Sequence, residues 1–131
     1  MTQNAENFDN TEGAKFDGGK PRYDLIPPEA LDALAQLYGI GAAKYADRNW
    51  EKGIKYSRVF AAMMRHAWAW WRGEKIDLET GLSHMTSVAW NAFALFTYDA
   101  RRMEDFNDNP ALQEANPVGN STPFGMLSSK N

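Results

Sequence analysis

The sequence has no cysteine. Disulfide staples and thiolate metal sites are therefore excluded, and nothing points to an oxidising compartment. It also lacks any run of roughly 18 apolar residues, so no segment is expected to span a membrane. The opening Met-Thr-Gln-Asn-Ala-Glu-Asn has neither the basic nor the apolar region of a signal peptide, and the expected location is the cytoplasm. Positive charge is not in excess: 14 Lys and Arg against 17 Asp and Glu give a net charge of −3. Binders of nucleic-acid backbones are usually basic, so nucleic acid is not an expected partner. A local group of cations on an acidic protein can still hold a small anionic ligand. Histidine is scarce, with two in the chain.

What is present is aromatic. Five Trp lie within 131 residues, enough for one domain. Each Trp buries roughly 150–250 Å², so a few large side chains should dominate the packing. Residues 1–14 are polar and aperiodic. Residues 104–131 hold three Pro, two Gly and many Asn and Ser. Both stretches are expected to be flexible tails, because they carry too little apolar surface to offset chain entropy. The folded unit is expected over 15–103.

Inside that unit the spacing is helical. Pro27 and Pro28 suit a helix entry, and Leu31, Leu34, Tyr38, Ala42 and Tyr45 follow at intervals of three or four. Gly39 and Gly41 weaken this helix by about 1 kcal/mol each relative to Ala, and close approach of another backbone would explain them. A second helix is expected from Ser57, as N-cap, to Arg72, with Gly73 at its C′ position. Val59, Phe60, Met63, Met64, Ala67, Trp68, Trp70 and Trp71 cover most of its circumference. Its narrow polar stripe holds Arg58, Arg65 and Arg72 at i, i+7 and i+14. Such a helix is central in a bundle or buried between subunits. A third helix should begin between Leu78 and Ser83, with Asp77 or Thr80 at its start, and run to about Met103. No stretch alternates like a strand. The expected fold is an all-α bundle of about three main helices with an ordered N-terminal segment. Its surplus apolar surface suggests a homo-oligomer.

Chemistry-bearing residues concentrate in the link between the second and third helices, Gly-Glu-Lys-Ile-Asp-Leu-Glu-Thr-Gly-Leu-Ser-His. Glu74, Asp77 and Glu79 are oxygen donors for Mg²⁺ or Mn²⁺, and a His84 nitrogen suits Mn²⁺ better than Mg²⁺. The plainer reading is a capped, solvated turn, since acidic residues favour a helix N-terminus in any case. His66 is placed to orient one of these ligands, or is simply a hydrogen-bonded core residue, and Asn91 lies two turns beyond His84. Lys20 and Arg22, with Lys44 and Arg48, are candidate triphosphate ligands. Asn49 adjoins them, and Trp50 or Tyr45 offers an aromatic face to a base. For any one of these, a solubilising surface role is the ordinary alternative.

Three segments, KFDGGKPRYDLIPPEAL, GAAKYADRNWEKG and RHAWAWWRGEKIDLETGLSH, together resemble the N-terminal family of phage dATP/dGTP diphosphohydrolases. The resemblance implies an all-α relative of MazG-like pyrophosphohydrolases working in the host-cell cytoplasm. Such enzymes use Mg²⁺ or Mn²⁺ to convert a purine deoxynucleoside triphosphate to monophosphate and pyrophosphate. It also implies that in longer relatives this region precedes a further catalytic segment. The paired-carboxylate signature of the MazG-like enzymes, Glu-Glu-x-x-Glu with Glu-x-x-Asp, is not present: Arg65 and His66 stand where carboxylates would be expected. The favoured reading is an enzyme with Glu74, Asp77 and Glu79 catalytic and, with His84, holding metal. The alternatives are a phage protein that binds a nucleotide without turnover, to sequester it or regulate a partner, and a structural module with the Trp-rich helix as its seam.

Overall fold

A proline at the first helical position loses no hydrogen bond and brings a φ already suited to the helix. Pro28 starts α1 (Pro28–Lys44) in this way, with Pro27 extended before it. The computed structural model describes residues 11–111. It continues with α2 (Tyr56–Trp71) and α3 (His84–Ala100), and short 3-10 turns lie at Tyr23–Leu25, Asn49–Lys52 and Glu104–Phe106. Among the described residues there is no strand, only an isolated antiparallel bridge between Ile76 and Ser83. The all-α expectation holds. No described helix is long and apolar enough to cross a membrane.

α2 ends where Gly73 takes φ +102°. The Gly73 N–H then reaches the Trp70 carbonyl and the Glu74 N–H reaches that of Ala69. These bonds satisfy carbonyls that a helix end leaves open, as the C′ glycine predicts. The α2 entry differs from expectation. The helix begins at Tyr56, with Lys55 before it, and Ser57 lies inside the first turn. The Asp108 carboxylate, 51 residues away, accepts from both the Ser57 N–H (2.9 Å) and its hydroxyl (2.6 Å). The α3 entry also differs. Ser83, not Asp77 or Thr80, is the cap, accepting from the Met85 N–H at 3.0 Å. Asp77 and Thr80 are instead occupied in a turn.

α3 packs against both α1 and α2, which hardly touch each other. The dry core joins the first half of α2 to the second half of α3 through Tyr56, Val59, Ala94 and Tyr98, with Trp50, Trp90 and Phe106 around them. Tyr98 is fully buried. Its ring stacks on Tyr56 with centroids 5.9 Å apart, and its hydroxyl donates to the Trp50 carbonyl at 2.7 Å. The apolar part of such a side chain stabilises by about 1.5–3 kcal/mol on burial, and the hydrogen bond removes the penalty of hiding the hydroxyl.

The tails expected at 1–14 and 104–131 lie outside the described residues except at 11–14 and 104–111. In the second, packing continues past Met103: the Phe106 ring lies directly on Gly53, where any Cβ would overlap it. Among the described residues no backbone approaches Gly39 or Gly41; a Cβ at either would meet nothing within 4 Å. α2 is also less enclosed than its composition suggests, because Phe60, Met64, Trp68 and Trp71 remain exposed along it.

Candidate active site at the histidine end

The link of residues 73–83 is a tight return. The Thr80 and Gly81 N–H groups donate to the Asp77 carbonyl at 3.2 and 2.7 Å, and the Asp77 N–H donates to the Leu82 carbonyl at 2.8 Å. Gly81 sits at φ +78°, a conformation that favours glycine. The Asp77 side chain accepts from the Glu79 N–H at 3.0 Å, which fixes its carboxylate. The His84 N–H closes the return on the Lys75 carbonyl at 2.9 Å. This register brings the first residue of α3 level with His66 on α2.

The two imidazoles meet with Nδ1 facing Nδ1 at 2.8 Å. His84 is buried, and its Nε2 lies 3.2 Å from a Glu74 carboxylate oxygen. Asp77 Oδ2 stands 4.0 Å from His66 Nδ1. One ligand atom from each of His66, Asp77 and His84 falls within a 4.8 Å cluster. In the tautomer where His84 Nε2 donates to Glu74, His84 Nδ1 carries a lone pair, and two bare nitrogens at 2.8 Å would repel. That contact is satisfied by an N–H on His66 Nδ1 or by a cation that both nitrogens hold. Burial holds the His66 imidazole below its ordinary value of 6.5, against the attraction of Asp77, and His84 and Arg65 push it the same way as burial. A neutral imidazole is the form that binds metal.

A groove of about 1250 Å³ runs from this cluster between α1 and α2, floored by α3 at Ser87, Trp90 and Asn91. His66, Asp77 and Glu79 line it, as do Lys44, Arg48, Asn49, Trp50, Arg58 and Arg65. Tyr45 is 63% exposed on its wall, with the Lys44 ammonium 5.3 Å from its ring centroid. Trp50 is less open, edge-on to Tyr38 and beneath the Arg101 guanidinium. Asn91 is buried, its amide donating to the Ser87 carbonyl at 2.7 Å.

The residues singled out from the sequence thus fall into separate groups. Asp77 and His84 come together, joined by His66, which the sequence placed only as an orienting residue. Glu74 stands behind His84, holding the ring's far nitrogen. Glu79 turns to Lys44 at 3.4 Å and is largely exposed. Arg48 faces Glu51 at 3.7 Å. Lys20 and Arg22 do not line the groove, and Arg22 is taken up by Asp24 through two bonds of 2.8 and 2.7 Å. Sequence reading missed Arg58 and Arg65 as groove residues, although their i, i+7 spacing on one helix face, with Arg65 next to His66 in sequence, was the available signal.

Comparison with known proteins gives the same direction. The family model described as dATP/dGTP diphosphohydrolase, N-terminal, matches residues 10–109. A protein of Salmonella phage PMBT28 with the name dATP/dGTP diphosphohydrolase is 36% identical over 84 residues, which are 64% of this chain. The chain spans only 29% of that relative's length. No solved structure matches. With the family model covering most of the chain, and every segment that builds the groove and its histidine pair inside the match, the chain belongs to the dATP/dGTP diphosphohydrolase N-terminal family.

Proposed function

We propose that the groove binds a purine deoxynucleoside triphosphate and hydrolyses it to monophosphate and pyrophosphate with a divalent metal. The observation that carries this reading is the convergence of His66, Asp77 and His84 within 4.8 Å at one end of the groove. Two imidazole nitrogens and a carboxylate oxygen fit Mn²⁺ better than Mg²⁺, which prefers an all-oxygen shell. When bound, such an ion would draw charge from phosphate oxygens and make a water more acidic.

The chain's own residues divide the remaining work. Glu74 keeps His84 Nδ1 unprotonated by holding the proton on Nε2. Asp77, pinned by the Glu79 N–H, supplies negative charge beside His66. Glu79, which lines the same groove, would take the proton from an attacking water. Tyr45, exposed on the groove wall beside Lys44, offers a ring for the base. The exposed stripe of Phe60, Met64, Trp68 and Trp71 supports association of copies of this chain.

The test is to incubate the purified protein with each deoxynucleoside triphosphate and either Mn²⁺ or Mg²⁺, and to separate the products. Monophosphate and pyrophosphate should form from dATP or dGTP, faster with Mn²⁺, and His84→Ala should abolish them. No product from any nucleotide at high protein concentration would rule the activity out.

A further inference from the structure

The groove is not uniformly basic, and its charges are unequally committed. Lys44 is held by Glu79 and Arg48 by Glu51, which also meets Arg101 at 3.6 Å. Asp77 faces His66, and Asp47 sits beyond the end of α1. Among the described residues, the side chains of Arg58 and Arg65 form no hydrogen bond or ion pair. Both line the groove from α2. They are seven positions apart, so they share one face and lie about 10 Å apart along the helix. Arg65 directly precedes His66 and is close enough to lower its proton affinity.

The direction of the groove follows from Lys44 and Glu79. Their contact brings the end of α1, and with it Tyr45, beside the link. A base on Tyr45 therefore lies near the His66–Asp77 end, and the chain of phosphates is left to run along α2. We infer that Arg65 and Arg58 bind the β- and γ-phosphates, the part that departs as pyrophosphate. Arginine suits this place, because its planar fork gives two parallel bonds to a phosphate and its charge cannot be lost at neutral pH. The assignment rests on the proposed reaction for its orientation, and on the unpaired arginines for its chemistry.

Calorimetry of the full chain in EDTA, with dATP, dAMP and inorganic pyrophosphate as probes, tests it apart from turnover. The wild type should bind dATP and pyrophosphate more tightly than dAMP. Arg58→Ala and Arg65→Ala should each lower dATP and pyrophosphate affinity about 10-fold to 100-fold, and leave dAMP within about twofold. Both side chains are exposed, so the circular dichroism of the variants should match the wild type. Equal affinity of the wild type for dATP and dAMP would overturn the assignment, as would variants that bind pyrophosphate like the wild type. The two readings fail separately. A wild type that binds through these arginines but releases no pyrophosphate sinks the catalytic reading alone. Normal hydrolysis by both alanine variants sinks the phosphate assignment alone.

Discussion

α3 has two characters. Its second half buries Ala94 and Tyr98 against Tyr56 and Val59, whereas its first half buries His84, Thr86, Ser87 and Asn91. Because α2 runs back antiparallel, the same two helices make a dry aromatic end and a polar histidine end. Burying polar groups costs free energy unless they find partners. The aromatic end thus supplies the stability that the histidine end uses for its chemistry. Substitutions at one end should register in melting, and at the other in ligand affinity.

The largest expected effect is at the aromatic end. Tyr98→Ala should remove about 3–5 kcal/mol of unfolding free energy, measured by urea denaturation, and a loss below 1 kcal/mol would mean that this core is not what holds the fold. An intermediate effect is expected behind the cluster, from Glu74→Ala. Without its carboxylate, the tautomer of His84 is no longer fixed, and Mn²⁺ affinity should fall about 10–100-fold. Glu74 is exposed, so the metal-free protein should melt within about 0.5 kcal/mol of the wild type. A variant with wild-type affinity would break the division between the two ends.

The smallest effect is one of pH. The Ser57 hydroxyl, and then its N–H, hold the Asp108 carboxyl below its ordinary value of 3.8. A carboxylate whose folded value is depressed contributes stability above its unfolded value and loses it as the pH falls through the folded one. The Ser57 amide signal should therefore titrate with a midpoint below the ordinary carboxyl value of 3.8. Asp108→Asn should flatten that titration. A wild-type midpoint at or above 3.8 would place some other group at the α2 entry.

The helices were legible because their signals are local. Pro28 and Gly73 act on their own backbone, and the 3.6-residue period needs no knowledge of neighbours. The link was legible as a chemical region for the same reason, with its acids and His84 close in sequence. The pairing of His66 with His84 was not, since it depends on the register of the returning turn, which Gly81 and the Asp77 carbonyl set. The cap on α2 was hidden for a stronger reason: Ser57 looks like a cap itself, and its partner is 51 residues away. Lys44 read as a phosphate ligand because Glu79, 35 residues on, meets it only in three dimensions, whereas Glu51 stands just three residues past Arg48 and was in view. No contact in the fold explains Gly39 and Gly41.

The carboxylate on Ser57 has a consequence for the order of assembly. A growing chain emerges from its N-terminus at about 5–20 residues per second. The Ser57 N–H and hydroxyl therefore go without their Asp108 partner for seconds while α3 and the segment after it are made. The helix that carries His66 receives its cap only after residue 108 has been made.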